Sequence, residues 1–340
     1  MRGWVLLGLG AVAVGTACWQ QIAMKQLASP QAMIYDDDCS QDVDCVATLP
    51  ILHAMEDRGE IRILAMVADS ADPFTAPVMR VFAKYAGHAG MVIGANQTGD
   101  PGTEQCAKNN CNASVWAEKL VARFDAGDTR ARYPGCAGVY RKALAGAEEH
   151  SVAVVVTGFA TCLNQLLATG ADAVSPLTGK ELVKRKVKLL SVMGGRYPAG
   201  SEWNFQSDAP GFHALFQEWT RQHGYPAVYL NGFENGERIL AGAPADADPK
   251  VNPTRYAMLL AGTEQRPMWD MLSAFFAARG VGEFFKVGAP GTVEVDGVTG
   301  FDTWGSVDSG HYVLRDVASD EVFSALFDGF AHTGFLAGKK

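Results

Sequence analysis

Short apolar runs closed off by polar or turn residues recur along the chain, each the length of a strand buried on both faces. They are Ala32–Tyr35 just before Asp36, then residues 61–68 (IRILAMVA), 91–95 (MVIGA), 151–158 (SVAVVVTG), 187–195 (VKLLSVMGG) and 226–233 (PAVYLNGF). Helix-like stretches separate or follow them: Ala47–Arg58, Ala76–Ala86, Ala113–Phe124, Tyr140–Glu149, Leu163–Thr169 and Pro210–His223, with Tyr256–Ala261 and Met268–Arg279 farther on. Strand and helix alternate, which predicts an α/β fold: one domain over residues 32–335, with a mainly parallel sheet and helices on both faces. Ligands in such folds bind at the carboxyl ends of strands. The Ala/Pro/Asp stretch 241–253 reads as a surface loop within that domain.

With 340 residues, 48% of them hydrophobic and 10% aromatic, the chain has enough apolar material for a large core. Its net charge of −8 and the shortness of its basic patch, Lys184 to Lys188, argue against a nucleic-acid partner. Arg2 precedes an apolar run from Trp4 to Ala17, shorter than the roughly 20 residues a membrane span needs. Residues 1–17 are therefore expected to be a signal peptide or an N-terminal anchor, and the domain to be exported, periplasmic or extracellular. Seven cysteines suit an oxidising compartment. A local bridge in the loop holding Cys106 and Cys111, with Cys136 close by, is the first expectation, although connectivity does not follow from sequence.

The densest chemistry is YDDDCSQDVDC (35–45), in which five aspartates, Asp36, Asp37, Asp38, Asp42 and Asp44, fall within nine residues directly after a strand. Carboxylates so crowded repel, and a hard divalent cation with oxygen ligands relieves them. An EF-hand is excluded, because Gln41 stands where its glycine belongs and Ala47 where its glutamate belongs. Solvated acidic loops and helix caps also favour Asp.

This loop resembles that of the inosine-uridine preferring nucleoside hydrolases. A divergent bacterial branch of that family carries Asp-x-Asp-x-x-x-Asp-Val-Asp-Asp where this chain has D-D-D-C-S-Q-D-V-D-C. The similarity continues, in order, through residues 53–77, SVAVVVTGFATCLNQLL (151–167), VMGGRYPAGSEWNFQSD (192–208), GFENGERI (232–239) and RPMWDMLSAFFAARG (266–280). It implies a calcium-dependent hydrolase that cleaves the N-glycosidic bond of a ribonucleoside or related riboside. Within that resemblance Asp38 is the general base and a metal ligand, Asp44 binds metal or ribose hydroxyls, Thr161 offers a backbone carbonyl to calcium, and Asp270 completes the coordination. Glu202, Asn204 and Asp208 would hold the sugar. Trp203, Phe205, Phe233 and Trp269 lie beside these positions, as base-stacking or core residues. His311 is the candidate leaving-group acid, whereas His53, His88, His213 and His223 have no partner spacing and read as surface or helix residues.

Cys45 stands where the branch has its second Asp, Ser40 where the loop has glycine, and Cys162 where Asn is usual. A thiol is a poor calcium ligand. Cys45 either leaves a weakened metal site or pairs with Cys39. The alternative function is a degenerate relative that binds a riboside or sugar without turnover; a phosphatase-like use of Asp36 and Asp38 lacks the downstream Ser/Thr and Lys motifs. Membrane attachment through the N-terminus and homo-oligomerisation are both compatible with the sequence.

Overall fold

The structure, a computed structural model, describes residues 29–99, 113–125, 133–316 and 318–337. The expected segment 1–17, Cys18, Cys106 and Cys111 lie outside them. In chain order the strands are β1 (Gln31–Asp37), β2 (Ile61–Ala68), β3 (Ile93–Ala95), β4 (Val152–Val156), β5 (Val187–Met193), β6 (Ala199–Gly200), β7 (Val228–Asn231), β8 (Leu240–Gly242), β9 (Gln265–Pro267), β10 (Phe285–Val287), β11 (Thr292–Val295), β12 (Asp302–Gly305) and β13 (His311–Asp316).

Eight strands form one sheet in the order β10-β13-β7-β5-β4-β1-β2-β3. All pairings in it are parallel except that of the edge strand β10 with β13. The single α/β domain with a mainly parallel sheet is thus observed. Strand β1 alternates its side chains between two cores: Met33 and Tyr35 enter the one built with the helices Cys45–Asp57, Thr75–Tyr85 and Trp269–Arg279, while Ala32 and Ile34 enter the one built with Cys136–Ala145, Thr161–Leu167 and Ala209–Glu218. Helices cover both faces, and the apolar runs of β1, β2 and β4 are the ones that both layers bury.

The order reverses at the centre. From β1 the chain moves outward through β2 to β3, then returns to β4 on the other side of β1 and moves outward through β5, β7 and β13. That makes β1 and β4 the switch point, where the loops after two neighbouring strands part and leave a crevice at their carboxyl ends. The acidic loop follows β1 directly.

The basic patch noted in the sequence spans the last turn of the helix Gly179–Lys186 and Lys188 at the start of β5; the helix begins with a capping box between Thr178 and Glu181. Sheets β11-β12-β6 and β8-β9 are small and antiparallel. Among the described residues, no helix is long and apolar enough to cross a membrane.

Two disulfides join the described cysteines. Cys136 pairs with Cys162, tying the starts of the helices Cys136–Ala145 and Thr161–Leu167. Cys136 is thus committed elsewhere than the 106–111 loop. Cys39 pairs with Cys45 across the acidic loop, which takes the second of the two roles open to Cys45.

Candidate active site

A cavity of about 330 Å³ opens at the carboxyl ends of the central strands, its lining including the acids Asp38, Asp42, Asp44 and Asp270, the rings of Trp203, Phe233 and Trp269, and Arg266. Each side chain has a local reason for its place. Asp44 caps the helix Cys45–Asp57 by accepting from the Cys45 N–H at 3.0 Å, so the same carboxylate that starts the helix looks out of its N-terminus. Asp270 lies in the first turn of Trp269–Arg279, where a helix favours an acid. Asp38 follows the last residue of β1.

Burial makes these acids unusual. Asp36, Asp37, Asp38, Asp44, Asp69 and Asp270 are all buried. Loss of solvent, and then the neighbouring aspartates, raise the carboxyls of Asp44 and Asp270 well above the ordinary range. Loss of solvent likewise pushes Asp37 up to about 7, against the hydrogen bond from Tyr35. Asp44 and Asp270 meet side chain to side chain. Asp36 and Asp69 do the same deeper in, where Tyr140 donates to Asp36 at 2.6 Å and the Phe159 N–H donates to Asp69 at 2.7 Å. Two carboxyls in contact hold one charge between them unless a cation joins them.

Arg266 is the cation of the lining, and it is already committed: its guanidinium forks onto Asp42 at 2.8 and 2.6 Å. Asp37 Oδ1 is buried without a hydrogen-bond partner among the described residues. The bridged sulfurs of Cys39 and Cys45 lie beside Asp37 and offer no thiolate, so the available donors are oxygens. Oxygen donors, crowded negative charge and an orphaned buried carboxylate oxygen fit a calcium-like ion.

Elsewhere in the lining, Glu202 caps the short helix Trp203–Ser207 and accepts from the N–H groups of Asn204, Phe205 and Gly195. Burial raises it to about 7 although these amides pull it down. Asn204 donates to the carbonyls of Thr157 and Met193 at 3.0 and 3.3 Å, which fixes its orientation in the wall. Trp269 stacks obliquely on Phe233 at 5.1 Å and donates its indole N–H to the Phe233 carbonyl. Arg266 lies 5.6 Å over the same indole.

The structure therefore brings together Asp38, Asp44, Asp270, Glu202 and Asn204, and two expected residues are not among those that line the cavity. Thr161 starts the helix Thr161–Leu167 and donates its hydroxyl to Asp208 at 3.1 Å. Asp208 in turn caps the helix Ala209–Glu218 by accepting from the Gly211 N–H. Neither lines the cavity; Thr157, at the carboxyl end of β4, does. Of the four aromatics, Phe205 packs wholly in the core. His311 begins β13 at the amino end of the sheet, with Nδ1 accepting from the Val293 N–H and Nε2 donating to the Trp219 carbonyl, so it is no leaving-group acid for this cavity.

No family model matches the chain, and no curated protein matches it in sequence. Solved structures do match it along nearly their whole length. An inosine-uridine preferring nucleoside hydrolase from Bacillus anthracis superposes with a TM-score of 0.62 at 16% identity, covering 88% of this chain and 99% of that one. Its fold is the nucleoside hydrolase fold. Two further neighbours share it: the effector protein XOO4466, with a TM-score of 0.72 at 16% identity over 95% of this chain and 99% of that one, and the type III effector XopQ complexed with adenosine diphosphate ribose, with a TM-score of 0.67 at 16% identity over 94% and 97%. At such identities the nucleoside hydrolase likeness establishes architecture, and chemistry has to come from the site itself.

Proposed function

We propose that this chain is a calcium-dependent N-ribohydrolase that splits a ribonucleoside or related riboside into a sugar and its leaving group. The observation that carries this reading is the presence of Asp38 in one cavity with crowded, desolvated carboxylates and aromatic rings. A bound calcium would be held by Asp38, Asp44 and Asp270, with Asp37 Oδ1 and the Thr157 carbonyl as the remaining protein oxygens; it would orient a water and lower its pKa. Asp38 is placed to act as general base toward the attacking water and would accept its proton. Asp44, Glu202 and Asn204 present carboxyl and amide groups to the hydroxyls of the sugar. Trp203, Phe233 and Trp269 supply flat apolar surface for a planar leaving group, and Arg266 beside Trp269 offsets charge that develops on it. The domain is read as exported, which its disulfides suit.

One observation favours a second reading, a relative that binds a riboside such as the ligand of the XopQ complex without turning it over. Cys45 is locked to Cys39, so the loop contributes no ligand from that position. Release of base and free sugar from a panel of ribosides, followed by proton NMR with calcium and with a chelator, separates the two. Calcium-dependent release supports hydrolysis; saturable binding without release assigns the chain to the binding class.

A further inference from the structure

The far end of the helix Cys45–Asp57 carries a second cluster of ligand-type side chains. His53 and Glu56 lie in its last two turns, and His88 comes from the loop after the helix Thr75–Tyr85. The two imidazoles stack at 4.8 Å with their planes 16° apart. Glu56 Oε2 lies 3.7 Å from His53 Nδ1 and 3.5 Å from His88 Nδ1. The sequence reading placed these histidines on a surface or a helix without partners, yet His53 is 1% exposed.

The cluster lacks an electropositive centre. Neither ring nitrogen of His53 has a hydrogen-bond partner among the described residues, and Glu56 Oε2 is buried without one as well. Glu56 is held by its other oxygen, which accepts from the Ile63 N–H at 2.8 Å. His88 Nε2 faces Asp57 Oδ1 at 3.0 Å, an arrangement that in the neutral ring places the N–H on Nε2 and leaves Nδ1 as the ligand nitrogen. Nitrogens of two imidazoles and a carboxylate oxygen thus come together, their ligand atoms all within 4.8 Å. Burial also disfavours a charged His53.

We propose that His53, Glu56 and His88 bind a divalent transition metal of the zinc class. Zinc binds imidazole nitrogen at about 2.0–2.1 Å, so neighbouring ligand atoms of a tetrahedral site stand roughly 3.3 Å apart; the 3.5 and 3.7 Å separations are close to that, and binding requires one imidazole to turn out of the stack so that both in-plane lone pairs meet the ion. Asp57 orients the His88 ring from behind, the arrangement that metal-bound histidines commonly use. A shallow groove of about 270 Å³ between His88, Ile63, Gly90 and Met91 brings solvent to the His88 side of the cluster. The site is apart from the acidic cavity, roughly 15 Å along the helix from Asp44 at 1.5 Å per residue. Bound metal would tie that helix to the segment leading into β3.

The test is titration of the full oxidised chain with cobalt(II) in calcium-saturated buffer, which keeps the carboxylate site filled. Wild type is expected to develop the visible bands of tetrahedral, nitrogen-ligated cobalt at one equivalent, displaced by zinc. His53→Asn and His88→Asn should each lose those bands or weaken binding by at least tenfold. Should burial make His53→Asn fail to fold, His88→Asn, at the partly exposed position, decides alone. Absence of the bands in wild type, or equal bands in wild type and His88→Asn, overturns the proposal.

Discussion

Removing the bridge across the acidic loop is a quantitative test of how that loop is held. The Cys39–Cys45 bridge spans a sequence separation of 6, and closing so short a loop in the unfolded chain contributes about 2 kcal/mol by the chain-entropy estimate. Unfolding entropy of about 2.1 cal/mol/K per residue amounts to roughly 0.7 kcal/mol/K over this chain. The double variant Cys39→Ser/Cys45→Ser should then melt about 3 °C lower in scanning calorimetry. Its calcium affinity should fall too, because the bridge fixes the turn that presents Asp42 and Asp44. Cys39→Ser/Cys45→Asp loses the same clamp but restores a carboxylate at the helix start, so it should bind calcium more tightly than the double serine variant. A double serine variant with unchanged melting and unchanged calcium affinity would refute the reasoning, since the loop would then hold its shape without the bridge.

Glu202, raised to about 7 by burial, keeps its proton in the folded state over a range where the unfolded chain has released it. The folded state therefore binds more protons between the unfolded value of 4.5 and about 7, and stability falls as pH rises through that window, by as much as ~3 kcal/mol, then levels off. Urea unfolding from pH 4.5 to 8 should show a shallower decline for Glu202→Gln than for wild type; parallel curves would count against it. Trp269→Ala removes the indole that meets Phe233 and Arg266. It should raise KM for an aromatic riboside about 5- to 10-fold, from roughly 1–1.4 kcal/mol of lost ring contact, with a smaller change in kcat.

Much of the central sheet was legible because its strands are continuous apolar runs. Residues 61–68 became β2 without a shift in boundary, and the runs at 151–158 and 187–195 became β4 and β5. The antiparallel strands β11 and β12 were not legible: they are four residues each and mix buried with exposed positions, so no run stands out. The helix Asp320–Ala337 passed unnoticed for want of a motif rather than of apolar residues. At the site, Asp38, Asp44 and Asp270 are named by the family resemblance, and all three line the cavity. Thr161 is named by the resemblance alone; Thr157, at the carboxyl end of β4, lines the cavity and carries no motif of its own in the sequence. Arg266 escaped notice because its partner Asp42 is 224 residues away, and the stacking of His53 on His88 joins two elements that no local periodicity links.

Base release by wild type and Asp38→Asn, measured side by side on the same ribosides, with calcium, after chelation, and after calcium is restored, tests the central claim most directly. The account predicts release by wild type that chelation abolishes and calcium restores. It also predicts a loss of two to four orders of magnitude in Asp38→Asn, the usual worth of a general base. Release that survives chelation, or that Asp38→Asn retains at the wild-type rate, would contradict it.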